Sequence, residues 1–584
     1  MDIQRTVLLV ALAIVSYVMV LKWNEDYGHE QLPTDVAQVS QLHADVPSIA
    51  AVDNEDLPVI AQGQTADSAV IPSDLPSTSE ANSQQLIRVQ TDVMALAINP
   101  VGGDIVELKL LQYPRSTKNP EVPFQLFTDN QQHLYVAQSG LAGANGPDAR
   151  AEGRPLYRAA QTDYRLTEQQ EQLQVDLLFS EQGVNYTKRF TFHRGLDASC
   201  SATQIEQRRV ECVNQQAYQI DVAYIVDNQS QSTWQGNLFA QLKRDDSGDP
   251  SSAGAASTAT YIGAAMWTPD EPYKKMSMGK MDDKRFAEKV QGGWIAWLQH
   301  YFVTAWIADS NQSNNYLTRK DSQGNYIVGY TADAVNIAPG QQQSLTATLY
   351  AGPKIQSHLK KLSPGLELTV DYGFLWFIAQ PIFWLLSLIH SLLGNWGWSI
   401  IMLTVLIKLA FFPLSAASYR SMARMRAVAP KMQALKEKYG DDRQKLSQGM
   451  MELYKKEKIN PLGGCLPILL QMPVFLALYW VLLESVEMRQ APWMFWLTDL
   501  SSKDPYFILP IIMGASMFIQ QMLNPTPPDP MQAKVMKLLP IIFTFFFLWF
   551  PAGLVLYWVV NNILSIAQQW YITRKIEKAA AASA

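Results

Sequence analysis

Residues 372–407 read YGFLWFIAQPIFWLLSLIHSLLGNWGWSIIMLTVLI, 36 positions without one Asp, Glu, Lys or Arg. A second charge-free run of the same length, 538–573, reads LLPIIFTFFFLWFPAGLVLYWVVNNILSIAQQWYIT. A soluble core helix rarely excludes charge over such a length, whereas crossing a bilayer takes about 20 consecutive apolar residues. Each run holds more than one helix. Gly394-Asn395-Trp396-Gly397 divides the first and Pro551-Ala552-Gly553 divides the second. The whole-chain averages hide this. Over 584 residues the mean hydropathy is −0.07, the net charge −6 and the charged fraction 17%, against about 25% charged in ordinary soluble proteins. These values exclude a wholly disordered chain and a strongly basic, DNA-binding one.

The segments before and after the oily runs differ in kind. Met1–Arg5 precedes an apolar run, Thr6–Leu21, that exits through bulky residues with no small-residue cleavage site, so residues 1–23 are expected to be an uncleaved signal-anchor helix. Residues 24–85 hold 11 Asp/Glu and no Lys or Arg up to position 84. This composition predicts a disordered acidic linker. From 86 to 357 the period becomes two: Leu173, Val175, Leu177 and Phe179, then Ser180-Glu-Gln-Gly183, then Val184, Tyr186, Phe190 and Phe192. That is a hairpin signal. Tyr218, Ile220, Val222, Tyr224 and Val226 alternate likewise, so a large all-β domain is predicted. Gly102-Gly103-Asp104 reads as a turn. The seven His are scattered, with no metal-ligand spacing, nucleophile elbow or phosphate loop, so neither catalytic residue nor metal is assigned. Cys200 and Cys212 are a candidate disulfide pair in an oxidising compartment, or else two free thiols.

Charge sets the expected topology. Residues 415–458 carry 11 Lys/Arg against 5 Asp/Glu, which places them in the cytoplasm by the positive-inside rule. The stretch 484–505 suits the outside. With the β domain outside, only one crossing fits between Asp371 and Ser415. That crossing is 396–414, within a connector and core divided at 395, and 374–393 lies along the outer surface with Trp376, Trp384 and His390 at the interface. Further spans are 462–483, 506–523, a short 535–550 and 552–572. The fold class is thus a six-span α-helical membrane protein with a large all-β periplasmic supersandwich, both termini cytoplasmic and a basic tail over 573–584.

Lys408 stands inside a span, six positions before Leu414. A charge there costs about 2.5–3.5 kcal/mol unless solvated or paired, which makes it a functional candidate. The alternative is that it snorkels to the cytoplasmic headgroups. Thr404 and Ser415 share its helical face. In the last span Tyr557, Asn561, Ser565 and Gln568 form a polar stripe with Trp558 beside it, and Gln471-Met472-Pro473 interrupts another span. Polar groups at that depth face helices, water or a cavity, so a hydrated groove open to the cytoplasm is one reading and ordinary interhelical bonding the other. The basic segment 415–458 predicts a hairpin: Gly440 stops one helix and Asp441 or Asp442 caps the next. Arg420, Arg424, Arg426, Lys431 and Lys436, with Met422 and Met425, suit hydrophobic segments, RNA or anionic phospholipids, unless the hairpin is merely solvated.

Asn460-Pro-Leu-Gly-Gly-Cys465, Gln471-Met-Pro473, Arg489-Gln-Ala-Pro492, Asp529-Pro-Met531 and Leu548-Trp-Phe-Pro-Ala-Gly-Leu554 together make the stretch from Tyr372 to Lys578 resemble the YidC family of bacterial inner-membrane protein insertases. Gly292-Gly-Trp-Ile-Ala-Trp297 and Thr304-Ala-Trp306 extend the resemblance, more weakly, into the β domain. The resemblance implies insertion of nascent membrane proteins through an inner-leaflet groove, alone or with the Sec translocon. It implies no cofactor, no ATP site and no enzymatic activity. It also implies that the hairpin captures substrates and that the tail residues Arg574, Lys575 and Lys578 help dock a translating ribosome. The family's groove cation is usually Arg, and Lys408 occupies that position, keeping the charge without the planar fork. The implied β-domain fold is galactose-mutarotase-like, from which no sugar chemistry follows. The alternative functions are a small-solute transporter, which favours intramembrane acids absent here, and a membrane-anchored periplasmic carbohydrate-binding protein.

Overall fold

The computed structural model describes residues 85–150, 153–201, 204–205, 210–250, 260–440, 442–457, 466–523 and 530–583. The expected anchor 1–23, the linker up to residue 84, and Asp441, Asn460–Cys465 and Asp529 lie outside these residues. The chain divides into two compact units, meeting in sequence at Thr369/Val370.

The first unit is a β-sandwich. One sheet runs, in spatial order, Phe286–Gln291, Ser313–Lys320, Tyr326–Ala332, Trp234–Arg244, Leu134–Ala142, Asn119–Asp129, Asp104–Ser116, Met94–Asn99, Ile87–Gln90 and Asp163–Arg165, with Val335–Ile337 also on Trp234–Arg244. The other runs Lys274–Met276, Gly263–Met266, Trp294–Leu298, Phe302–Ile307, Gln341–Pro353, Gln219–Asn228, Val184–His193, Gln172–Glu181 and Arg158–Ala159. Neighbours are antiparallel except Ile87–Gln90 with Asp163–Arg165. The predicted hairpin closes at Gln182 (φ 46°) and Gly183 (φ 79°), the paired left-handed residues that a two-residue hairpin turn requires. Its inward row runs Val184, Tyr186, Lys188, Phe190 and Phe192, so a lysine occupies an apolar register position.

Lys188 is fully buried, and its Nζ donates to the carbonyls of Gly102 (3.0 Å), Gly103 (2.8 Å) and Ser139 (3.1 Å) on the facing sheet. The Gly102-Gly103 turn, left-handed at both residues, aims two of those oxygens inward. Beside it Arg154 donates to Asp148 at 2.8 Å and pairs with Asp104. Trp306 Nε1 to Gln241 O (3.0 Å) and Tyr224 OH to Ser139 Oγ (3.0 Å) join the two sheets further. Burial pushes the Lys188 amine down to about 7, against the attraction of Asp104 and with the help of Arg154. Cys200 and Cys212 form a disulfide with Cα atoms 5.9 Å apart.

The second unit is helical: α1 Trp376–Leu393, α2 Trp396–Ala410, α3 Phe412–Ala427, α4 Ala429–Tyr439, α5 Arg443–Lys456, α6 Leu466–Glu484, α7 Ile508–Met522, α8 Pro530–Phe546 and α9 Ala552–Ser583. Ala379, Leu386, Ile400, Leu403, Ala477, Leu478, Val481, Met513, Leu554 and Val555 form the centre of one core. Unlike in a soluble protein, the outer surface is also apolar. Trp376, Phe377, Trp384, Leu392, Ile511, Phe518, Met522, Ile541 and Phe545 are each more than half exposed, far beyond the isolated patches of soluble monomers.

Several expected boundaries shift. Gly394 ends α1 in the left-handed conformation (φ 67°), dividing the first oily run where the sequence placed the break. By length and composition Gly373–Leu393 is long and apolar enough to cross a membrane. His390, expected at the interface, is 2% exposed, its ring stacked on Trp396 at 3.8 Å. The expected span 396–414 ends at Ala410, and the chain bends by 66° into α3. Ser415 therefore does not continue the face of Lys408 as straight-helix periodicity assumed. Gly440 is right-handed (φ −52°), so no left-handed glycine stop is used there, and Asp442 caps α5 through the amides of Gln444 and Lys445. The short span before Pro551 is α8, which starts upstream of Lys534 and closes in a single 3-10 turn, Phe547–Trp549. The tail 573–584 is not a separate segment, because α9 runs unbroken to Ser583.

Candidate functional site

α2 and α9 pack side by side, which brings Lys408 to Ser565. Lys408 Nζ donates to Ser565 Oγ at 2.7 Å, with Lys408 8% exposed. Ser565 in turn donates to the carbonyl of Asn561 one turn earlier (2.7 Å), and Thr404 donates likewise to Ile400 O (2.7 Å). Such back-bonds satisfy hydroxyls inside an apolar helix and leave the Ser565 oxygen free to accept the lysine. Among the described residues no carboxylate pairs with Lys408. An ammonium has three donors and no acceptor, so the site is suited to receive negative charge.

The rest of the predicted stripe divides. Tyr557 (3% exposed) and Trp558 face α6 and α8: the Phe475 ring meets Trp558 edge-on at 4.5 Å and Tyr557 at 6.2 Å, and Phe547 lies 5.3 Å from Trp558. These two residues anchor three helices to one another. Gln568 reaches from α9 to the bend after α2, at 3.5 Å from Phe412 O. Pro473 lies within α6, and Met472 is 41% exposed while Gln471 is half-buried. The structure gives Gln471 and Met472 no contact with Lys408.

Two polar residues escaped the sequence reading. Asn562 Nδ2 donates to Ser516 Oγ of α7 at 3.0 Å, and Gln569 Nε2 donates to Leu523 O at 3.0 Å. Seven residues apart and nearly buried, they make a second seam on the adjoining face of α9. The Asn561-Asn562 and Gln568-Gln569 doublets are the available signal, since consecutive residues sit about 100° apart and so put one member on each of two neighbouring faces.

In the hairpin Arg420, Arg424, Lys431 and Lys436 are exposed, and Lys431 pairs with Glu457 at 2.6 Å. Of Arg426 and Lys578 only the helical backbone is described. The methionines differ from expectation. Met422 packs against the Ala416–Tyr419–Ile572 cluster joining α3 to α9, and Met425 against Val428 and Met432 inside the hairpin. Apolar side chains on a polar hairpin bury against each other first, and Met451 is the methionine left outside, at 46% exposure. In the tail Lys575 is exposed and Arg574 lies over the Trp570 ring at 4.3 Å.

A helical unit clad in apolar side chains, carrying the buried cation Lys408 within an apolar helix and joined in sequence to a β-sandwich, defines an integral membrane protein with a large extramembrane domain. Residues 86–196 and 200–385 match the family model of the YidC periplasmic domain, and 388–579 that of the 60Kd inner membrane protein. The membrane protein insertase YidC of Pseudomonas aeruginosa is 67% identical over 582 residues, covering 99% of this chain and all of that one. That of Ectopseudomonas mendocina is 66% identical over 584 residues, covering 99% of each. Among solved structures, an active YidC insertase with its first transmembrane domain resolved aligns with a TM-score of 0.36 at 18% identity, over 84% of this chain and 93% of that one. YidC from Thermotoga maritima aligns at 0.31 and 12%, over 83% and 99%. The chain belongs to the YidC family of membrane protein insertases, proteins of the inner membrane whose β-rich part is the periplasmic domain. The transporter and carbohydrate-binding alternatives give way to this assignment.

Proposed function

We propose that insertion proceeds through a hydrated inner-leaflet groove centred on Lys408, flanked by Thr404, Asn561, Ser565 and Gln568. The observation that carries this reading is the buried ammonium whose described partner is one hydroxyl. The acidic or polar end of a nascent chain exchanges water for this cation, and the adjoining apolar stretch passes to lipid along Gln471-Met472-Pro473, Tyr557-Trp558 and α8. Buried charge is costly; a site that already holds an unneutralised cation lowers the cost for the anionic segment that joins it. Neither a cofactor nor nucleotide hydrolysis is needed for that exchange.

The same reading places six spans across the membrane with both termini cytoplasmic and α1 on the outer surface, supported by the charge asymmetry of 415–458 against 484–505. The exposed basic residues of α3 to α5, with the basic residues Arg574, Lys575 and Lys578 near the end of the chain, serve binding to anionic phospholipids and the translating ribosome, and the Sec translocon is a partner for larger clients. Reconstitution tests the core of this. Proteoliposomes holding only this protein are offered a two-span substrate with an acidic translocated tail, and protease protection is scored. Wild type and Lys408→Arg protect the tail, and Lys408→Ala protects less. Protection by Lys408→Glu equal to wild type would remove the electrostatic role.

A further inference from the structure

The loop joining α6 to α7 is compact. Leu497 and Leu500 are each 2% exposed, Asn395 Nδ2 holds Pro492 O at 3.1 Å, and Trp493 closes on Gly397. It also caps α9, since Ser502 O and Leu500 O accept the amides of Ala552 (2.7 Å) and Gly553 (2.9 Å). On this ordered frame Phe495 stands 81% exposed and Tyr506 66% exposed. Four non-glycine residues in the described chain have positive φ, and three are here: Gln490 (57°), Phe495 (54°) and Phe507 (57°). A bulky residue in that region costs about 1–3 kcal/mol and persists where its surroundings force it. The Gln490 amide is held by Asp499 Oδ1 at 3.1 Å, while at Phe495 and Phe507 the forcing group is Asp504, 1% exposed. Its Oδ1 accepts from Trp496 Nε1 (2.9 Å) and the Tyr506 amide (3.0 Å), and its Oδ2 from the Leu509 amide (2.7 Å). The Phe495 ring stacks on Trp496 at 6.0 Å. One carboxylate thus fixes both aromatic tips to the start of α7.

The outer stripe of α7 says what those tips meet. Ile511, Ala515, Phe518 and Met522 are exposed at helical spacing, and Phe507 continues the stripe back into the loop. α7 has 15 residues, about 22 Å of helix, against a hydrocarbon core of about 30 Å. A span that short draws its connecting loop down to the headgroup level. Tyr and Trp are enriched at that level, and exposed Phe is among the side chains with which interfacial segments enter the headgroup–acyl boundary.

We propose that the 485–507 loop is a membrane anchor whose Phe495 and Tyr506 insert into the outer-leaflet headgroup–acyl boundary, with Asp504 as the residue that aims them. The proposal rests on the topology above for its sidedness alone. It is tested with nitroxide labels at Phe495→Cys, Tyr506→Cys and, as the polar control, the exposed Ser502→Cys. The background is full-length Cys465→Ser in phospholipid nanodiscs, and the parent without added cysteine gives the blank. Collision with oxygen several-fold above collision with a water-soluble nickel chelate at 495 and 506, and the reverse at 502, is the expected result. Asp504→Asn is expected to shrink that contrast. Equal, water-like exposure at all three positions would overturn the anchor. A membrane-impermeant maleimide applied to intact cells reads sidedness separately: Ser502→Cys reacts from the periplasm if the topology holds, so an error of topology and an error of insertion give different results.

Discussion

Lys188 of the β-sandwich and Lys408 of the helical unit, both buried, show how the same side chain is put to different ends. Lys188 is fully enclosed, with three carbonyls on its ammonium and the faces of Phe190 and Tyr224 each 5.2 Å away. Every donor is used, and Asp104 and Asp148 lie in the same cluster. Lys408 has one hydroxyl. A buried ammonium with every donor used helps fix how two sheets meet, whereas an under-satisfied cation is costly to the fold and persists where it serves a ligand. Completeness of the hydrogen-bond shell, more than depth of burial, separates the structural lysine from the functional one.

The contrast can be broken in several ways. The largest expected effect is on stability. Lys188→Met takes the side-chain donor from the Gly103 carbonyl, leaves those of Gly102 and Ser139 to Arg154 alone, and is expected to cost the β-sandwich about 2 kcal/mol, read as a lower urea midpoint for its tryptophan fluorescence. A midpoint equal to wild type would contradict the structural role. Next comes function without instability: Lys408→Ala should slow insertion of acidic-tailed substrates about tenfold, the scale of one charge-assisted hydrogen bond, and leave neutral-tailed ones near wild type. An equal effect on both would point to damaged packing of α2 on α9.

The pH response of Lys188 sharpens the comparison. Its folded-state pKa of about 7 lies below the free-lysine value, so between the two the unfolded chain binds more protons. Stability of the sandwich should therefore rise as pH increases from about 7 towards 10. Lys188→Met removes that slope, and an unchanged slope in the variant would assign it elsewhere. A smaller effect is expected at the second seam of α9, where Asn562→Ala loses the bond to Ser516, costing about 1 kcal/mol and visible as a few degrees in melting temperature. Smallest of all is Lys408→Arg, expected to insert at the wild-type rate, since the position asks for charge.

Much of this was legible before the fold. The strand row 184–192 was visible in its alternation, but the reading stepped over Lys188, which breaks the apolar series while keeping its register. The polar stripe of α9 was found as one face. In the fold Tyr557 and Trp558 serve aromatic packing, Ser565 serves the cation, and Asn562 and Gln569 hold α7 on the adjoining face. The straight continuation from Lys408 to Ser415 failed because a 66° bend separates α2 from α3, which a hydropathy pattern does not register.

By itself the sequence determined the membrane class, the β-hairpins, the divisions at Gly394 and Pro551 and the position of the one charge inside an oily run. Those features depend on neighbours within a few residues, through hydropathy, period and backbone freedom. Tertiary structure alone decided the partners. Ser565 lies 157 residues from Lys408, and the carbonyls around Lys188 lie 49 to 86 residues away. Nothing local selects such pairs, because they form only when helices and sheets pack their apolar faces and whatever polar groups are carried inside must find one another.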